Sequence, residues 1–234
     1  MLGRIERFRG NNINALRYFQ KAHNIEPNNP ETLLFLGFHL ATYAGKPDLA
    51  EPYVKKVIEI DPLTPVNYLS PLMLYLMRSE MELAIAALRK ALQLMPGFEF
   101  FLARYLSWNN QLDEAIELID QFVKKDPINY NKELCLFFKY ALLGKKDMAL
   151  QIMREETKQY CWNDPDYPWF MADYYSLIDE KKEALTWLEH TINRGMINYP
   201  LLNEMDPFLE NIRCEPRFRK LMEKIKYEWE NFEV

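Results

Sequence analysis

Glycine is scarce in this chain, with seven in 234 residues and none beside another. That leaves no glycine-rich loop able to cradle a phosphate. Three cysteines, Cys135, Cys161 and Cys214, are odd in number and widely spaced, so a disulfide framework is not suggested and a reducing cytoplasm fits best. Three histidines, His23, His39 and His190, fall on three different expected helices. No cysteine or second histidine stands at ligand spacing beside them, so they read as structural, and neither a metal nor a cofactor is expected. Basic charge is also short: 29 Lys and Arg against 34 Asp and Glu give a net charge of −5. Such a balance supplies no general field for nucleic acid or for anionic lipid. Long apolar runs are missing too. The LGRIERFRG that follows Met1 has no signal-peptide core, and no stretch reaches the ~18 apolar residues of a membrane span.

What is present favours a helical core. Hydrophobic residues make up 49% and charged residues 27% of the chain, and Leu, Ala, Glu, Lys and Met are plentiful while glycines are few. The stretch Ser79 to Pro96 sets a frame of Ala84, Leu88 and Ala91 closed by Pro96. The frame returns as Ala15, Phe19, Ala22 and Pro27, as Ala50, Val54, Val57 and Pro62, and as Ala115, Ile119, Phe122 and Pro127. Weaker copies without the proline are Ala149, Met153 and Glu156, then Ala184, Leu188 and Thr191. The leading alanines are separated by 35, 34, 31, 34 and 35 residues, the mark of a stacked repeat. Each unit is expected to be two antiparallel helices. The alanines of the second helix admit close neighbours, and proline ends it because it lacks an amide hydrogen and crowds the residue before it.

The first helix of each unit carries its own element: Leu36, Gly37 and Leu40, then Leu136, Phe137 and Tyr140, then Phe170, Met171 and Tyr174. Leu2 and Gly3 occupy the same place, so the chain is expected to begin inside a first helix and to be a fragment of a longer protein. Irregularities are expected at Ser70-Pro71, where a first helix starts late or kinks, and in the shortened fourth unit, about 98–109. An extra turn residue is expected at Lys46-Pro47-Asp48, and another between Ile178 and Glu180. Cys161-Trp162 is assigned to a connection. The pairs Lys124-Lys125 and Lys145-Lys146 are ordinary helix-end charges.

Past Gly195 the period stops. Phe218, Leu221, Met222, Ile225 and Trp229 share one helical face, as a helix capping the bare end of a stack would require. Glu204, Asp206 and Glu210 in the intervening stretch read as a solvated cap region.

Together these elements resemble the tetratricopeptide repeat family over residues 1–195, with 196–234 as a C-terminal cap continuous with the array. The resemblance implies an all-α, right-handed superhelical solenoid of about six helix-turn-helix units. The residues from Ala184 to Phe218, among them Trp187, Gly195, Asp206-Pro207-Phe208 and Glu215-Pro216-Arg217-Phe218, look like the tails of tetratricopeptide regions attached to bacterial serine/threonine kinases, adenylate cyclases and winged-helix regulators. An upstream effector domain on the same polypeptide is implied. In the family the first helices line a concave groove. Carrying its contact places over gives Leu34, Phe38, Leu69, Met73, Met77, Phe101, Arg104, Trp108, Leu134, Phe138, Trp169 and Tyr175. Of these Phe38, Met73, Met77, Phe101, Arg104, Trp108, Phe138, Trp169 and Tyr175 are the candidate peptide-binding residues, with Trp108 and Arg104 expected to face solvent as a pair.

The groove is thus expected to be apolar and aromatic. Chaperone-tail binders of the family hold Lys and Asn where this chain has Leu34, Phe38, Leu69 and Met73, so a carboxylate clamp is not expected. Two alternatives stay open: the large side chains pack between neighbouring first helices, or the C-terminal cap folds back into the groove. The expected function is a non-enzymatic scaffold for a protein or peptide partner, in the cytoplasm, without nucleic acid or membrane. The other readings are a nucleic-acid-binding helical repeat, which needs a basic groove, and an enzyme built on a solenoid.

Overall fold

The computed structural model describes residues 1–125 and 130–233. Within them the chain is an all-α helical-repeat array of six helix pairs. The pairs are α1 (Leu2–Phe8) with α2 (Asn12–Ile25), α3 (Pro30–Thr42) with α4 (Pro47–Ile60), and α5 (Leu69–Met77) with α6 (Met81–Leu94). They continue as α7 (Glu99–Trp108) with α8 (Leu112–Lys125) and α9 (Tyr130–Leu142) with α10 (Lys146–Ile152). After an inserted helix α11 (Glu155–Asn163), α12 (Tyr167–Leu177) pairs with α13 (Lys181–Asn193). A π turn, Leu201–Met205, and a 3-10 turn, Pro207–Ile212, lead to the terminal helix α14 (Pro216–Glu230).

The repeat is written into the backbone as well as the side chains. Gly10, Gly45, Ser79, Asn110, Gly144 and Asp179 all adopt positive φ, each five residues before a framing alanine. Each ends the first helix of a pair with a left-handed residue, and in five of the six the following amide reaches back five residues, as in Glu80 N to Tyr75 O, Gln111 N to Leu106 O and Lys145 N to Tyr140 O; after Gly45 it reaches back six, Lys46 N to Leu40 O. The framing alanines 15, 50, 84, 115, 149 and 184 are all fully buried, as are Leu88 and Ala91. Gly37 serves close approach instead: a Cβ there would stand 2.8 Å from Val54 Cγ2 of the partner helix.

Most of the expected irregularities are present. The turn between α3 and α4 holds one residue more than the other inter-helix turns, and α7 has 10 residues against 13 in α3 and α9. Pro71 sits in the first turn of α5, where its missing amide costs no helical bond, behind a 3-10 turn over Pro65–Tyr68. Two expectations fail. The fifth unit's second helix stops at Ile152, because Met153 is extended (φ −84, ψ 106), and Thr157 rather than Glu156 is buried beyond it. Cys161 and Trp162 lie in the connection before the sixth pair, as expected, where the inserted helix α11 carries them. The turn at Ile178 to Glu180 has no added residue, and the extra length lies in the link that carries α11. Pro127 lies outside the described residues.

Repeat arrays ordinarily touch only their neighbours. Here the two ends meet. Asn12 Nδ2 donates to Arg194 O at 2.7 Å, Ile197 N donates to Tyr43 O at 2.9 Å, and Asn198 Nδ2 donates to Thr42 O at 2.9 Å. Trp229 Nε1 of the terminal helix donates to Gly45 O at 3.1 Å. Arg7 of α1 pairs with Asp166, which also accepts from the Tyr43 hydroxyl. A Cβ on Gly45 would come within 2.4 Å of Asn198 Oδ1.

Gly45→Ala is expected to destabilise the fold by about 1 kcal/mol more than Gly144→Ala in equilibrium urea unfolding. Both positions have positive φ (+62 and +66), but nothing lies within 4 Å of a Cβ at Gly144. Equal losses would show that the seam tolerates the methyl group.

Candidate binding pocket on the concave face

The concave face is divided. At one end it is filled by the chain's own residues 198–212. Phe208 is buried against Trp108 and Phe138, with ring centroids 5.8 and 5.6 Å away, and Leu201, Leu202, Leu209 and Ile212 are buried around it. At the centre lies Arg104, on α7 and fully buried. Its Nη2 is 2.6 Å from Asp173 Oδ2 of α12 and donates to Asp206 Oδ2 at 3.3 Å. Asp206 Oδ2 also accepts from Trp169 Nε1 at 2.8 Å, and Oδ1 accepts from Phe208 N at 3.0 Å, capping the 3-10 turn. Arg213 holds the same loop from behind, donating from Nη2 to Asp206 O at 2.6 Å.

Two carboxylates share one guanidinium at this centre without access to water. Burial pushes Asp173 well above the ordinary carboxylate range and raises Asp206 as well, against the pull of Arg104 on both. Desolvation works against the charge of Arg104, but Asp173 and Asp206 outweigh it and keep the guanidinium protonated. Asp206 has three donors and Asp173 lacks a well-aligned one, so burial raises Asp173 the more of the two.

The other end of the concave face stays open as a pocket of about 200 Å³. Its floor is buried: Leu72, Met73, Tyr105, Trp169, Phe170 and Thr42. Its rim is partly exposed and formed by Phe38, Val66, Leu69 and Phe101, with Arg7 and Asp166 on one side. The side chains come from α1, α3, α5, α7 and α12, so the curvature of the array brings together residues far apart in sequence. Arg7 lies 5.9 Å from the Phe35 ring and 6.0 Å from the Phe38 ring. Behind this wall His39 is buried. Burial first, and Arg7 second, lower its pKa to about 3, so the ring is neutral. Its Nδ1 lies 2.8 Å from Phe35 O, and its Nε2 has no partner.

Of the nine candidate residues, Phe38, Met73, Phe101 and Trp169 line the pocket. Arg104, Trp108 and Phe138 instead hold the C-terminal segment, and Met77 touches it, with Asn198 Nδ2 3.2 Å from its sulfur. Tyr175 is buried against Phe137. Arg104 therefore does not face solvent beside Trp108. Its charge is consumed by Asp173 and Asp206, and its carbon is 5.7 Å from the Trp108 ring. Asp206 is not part of a solvated cap but fully buried, although Glu204 and Glu210 are exposed. The sequence reading missed Arg7, Thr42, Tyr43, Asp166 and Asp173. A usable signal existed: Arg104 and Asp173 are the lone charges in the apolar runs FFLARYLSW and YPWFMADYYSL.

Fold and pocket define an all-α helical-repeat array whose ends are closed on each other. No protein-family model matches the chain, and no curated protein matches it. Among solved structures it is similar to the crystal structure of MamA, with 25% identity, 68% of this chain and 96% of that chain covered, and a TM-score of 0.47. It is also similar to the structure of Naa15/Naa10 bound to HypK-THB, with 17% identity, 94% and 37% covered, and a TM-score of 0.42. Among the described residues no helix is long and apolar enough to cross a membrane, and no group of His, Cys, Asp and Glu is arranged to hold a metal ion.

The central carboxyl pair predicts a pH dependence. A carboxyl whose folded pKa is raised stabilises the fold fully below its unfolded pKa of about 4, and this contribution falls as pH rises toward the folded value. Relative to Asp173→Asn, the wild type is expected to lose up to about 1.4 kcal/mol per pH unit above pH 4. Parallel stability curves for the two proteins between pH 4 and 8 would show that the fold does not raise Asp173.

Proposed function

We propose that this protein is a protein-interaction scaffold. A partner segment crosses the rim of the concave pocket and places one apolar anchor in it. The observation that carries this reading is the preformed convergence of Phe38, Met73, Phe101 and Trp169 on a single aromatic cavity open at its rim. Because helices already hold these side chains, binding costs little ordering of the protein. A nucleic-acid role is not favoured. Arg104, the one cation among the candidate residues, is enclosed between two carboxylates, and Arg7 at the pocket is paired with Asp166. In the same reading the array is the regulatory part of a larger cytoplasmic polypeptide.

The test is selection from a random peptide display library on the full chain, followed by titration of enriched peptides against wild type and Leu69→Trp. The added indole at the rim is expected to weaken them by at least about tenfold, with the helical circular dichroism unchanged. Peptides that bind both proteins equally, or no enrichment at all, would refute the pocket as the peptide site.

A further inference from the structure

The pocket is apolar where a ligand can touch its depth. The polar atoms of its buried lining are already engaged: Trp169 Nε1 donates to Asp206 Oδ2 at 2.8 Å, Thr191 Oγ1 to Trp187 O at 2.9 Å, and the Tyr105 hydroxyl to the Met73 sulfur at 3.5 Å. Thr42 Oγ1 and Arg7 Nε have no partner, but both are sealed beneath the lining, where no group seated in the pocket reaches them. The Tyr43 hydroxyl is taken by Asp166 and by Pro165 O. The formal charges on the wall, Arg7 and Asp166, pair with each other, so the pocket offers a ligand no net charge.

A side chain that reaches in from a partner segment keeps its Cβ at the rim and sets its tip on this floor. A tip that carries a hydroxyl or an amide would leave water and find no partner there. The fitting anchor is therefore uncharged and hydrocarbon at its tip. Size narrows the choice. An apolar cavity of about 150 Å³ takes one benzene ring, so about 200 Å³ takes a ring with one or two further carbons. The benzyl group of phenylalanine has that size, whereas aliphatic side chains leave space empty and an indole brings in an N–H that needs an acceptor. Phe38, Phe101 and Trp169 supply aromatic walls for such a ring. The concave face already holds one phenyl group in this way, since Phe208 of the tail lies against Trp108 and Phe138. Trp169 borders both places, bonded to Asp206 on one side and lining the pocket on the other.

We propose that the anchor this pocket takes is the phenyl ring of a phenylalanine on the partner segment, seated among Phe38, Phe101 and Trp169. The assignment rests on the reading of the concave face as a peptide site. Tyrosine would fill the same space but bring its hydroxyl onto a floor with nothing to bond, so the absence of reachable polar atoms sets the selectivity. A hydrophobic pocket rejects an isostere that adds one hydroxyl by up to about a hundredfold.

The experiment is isothermal titration of the full chain with N-acetyl-phenylalaninamide and with its tyrosine and leucine counterparts, whose backbone ends keep the side chain pointing inward from the rim. Wild type is expected to bind the phenylalanine compound saturably at one site and at least about tenfold more tightly than either counterpart. Leu69→Trp, which narrows the rim, is expected to weaken that binding by at least about tenfold with the helical circular dichroism unchanged. A tyrosine or leucine compound bound as tightly as the phenylalanine one, phenylalanine binding that Leu69→Trp leaves unchanged, or no saturable binding of any of the three would overturn the proposal. Display peptides that respond to Leu69→Trp but carry no phenylalanine would overturn the phenylalanine anchor and leave the peptide site standing. Phenylalanine selectivity without any peptide capture would overturn the peptide site, and the anchor assignment with it.

Discussion

The buried charge centre of Arg104, Asp206 and Asp173 is the constraint on which the rest of the concave face depends. A guanidinium taken wholly out of water is tolerated only if its partners are fixed and well bonded. Asp206 reaches Arg104 only when the chain after Gly195 has turned into the array, and once there it also binds Trp169 Nε1 and caps its own 3-10 turn. Fixing Asp206 brings Phe208 onto Trp108 and Phe138, which fills that part of the face with apolar bulk. The charge cluster is better regarded as a device of register than as a source of net stability. Removing one member leaves a buried charge without a partner, whereas the intact cluster does little more than offset its own desolvation.

Closure follows from the same turn of the chain. The segment that delivers Asp206 begins at Ile197 and Asn198, and these residues bond to Tyr43, Ala41 and Thr42 at the far end of the array. A linear stack of repeats gains stability pair by pair, and its ends fray. This array replaces both bare ends by contacts to each other and to α14, so its first and last pairs share one set of hydrogen bonds. Gly10, Gly45 and Gly195 stand at this seam with positive φ, and for each a Cβ would press on an atom of the opposite end.

Much of the fold was legible because a period is a redundant signal. Six alanines in phase, spaced by 31 to 35 residues, identify the second helices even where a closing proline is missing. Irregular units were legible when length alone betrayed them, as in α7. The break after Ile152 was not legible, since Met153 is a good helix former and yet is extended. Half of the candidate site was hidden for a comparable reason. Repeat position places a residue on the concave face but cannot say whether solvent or the chain's own tail meets it there. Arg104 occupied a contact place, and what decided its fate was Asp206, about a hundred residues later and outside the repeat. Charge supplied the missing hint: a lone Arg and a lone Asp, each in an apolar helix, have to be satisfied by something.

Occupying part of the groove changes what the remainder can recognise. An open concave face would accept an extended segment along its length, drawing affinity from many shallow contacts. With residues 198–212 in place, what remains is about the size of one side chain, bounded by buried aromatic walls. On the proposed reading, recognition then depends on the fit of a single group, and affinity concentrates in that anchor. On that reading, the tail that consumes Arg104 and Trp108 thereby converts a general binding surface into a selective one.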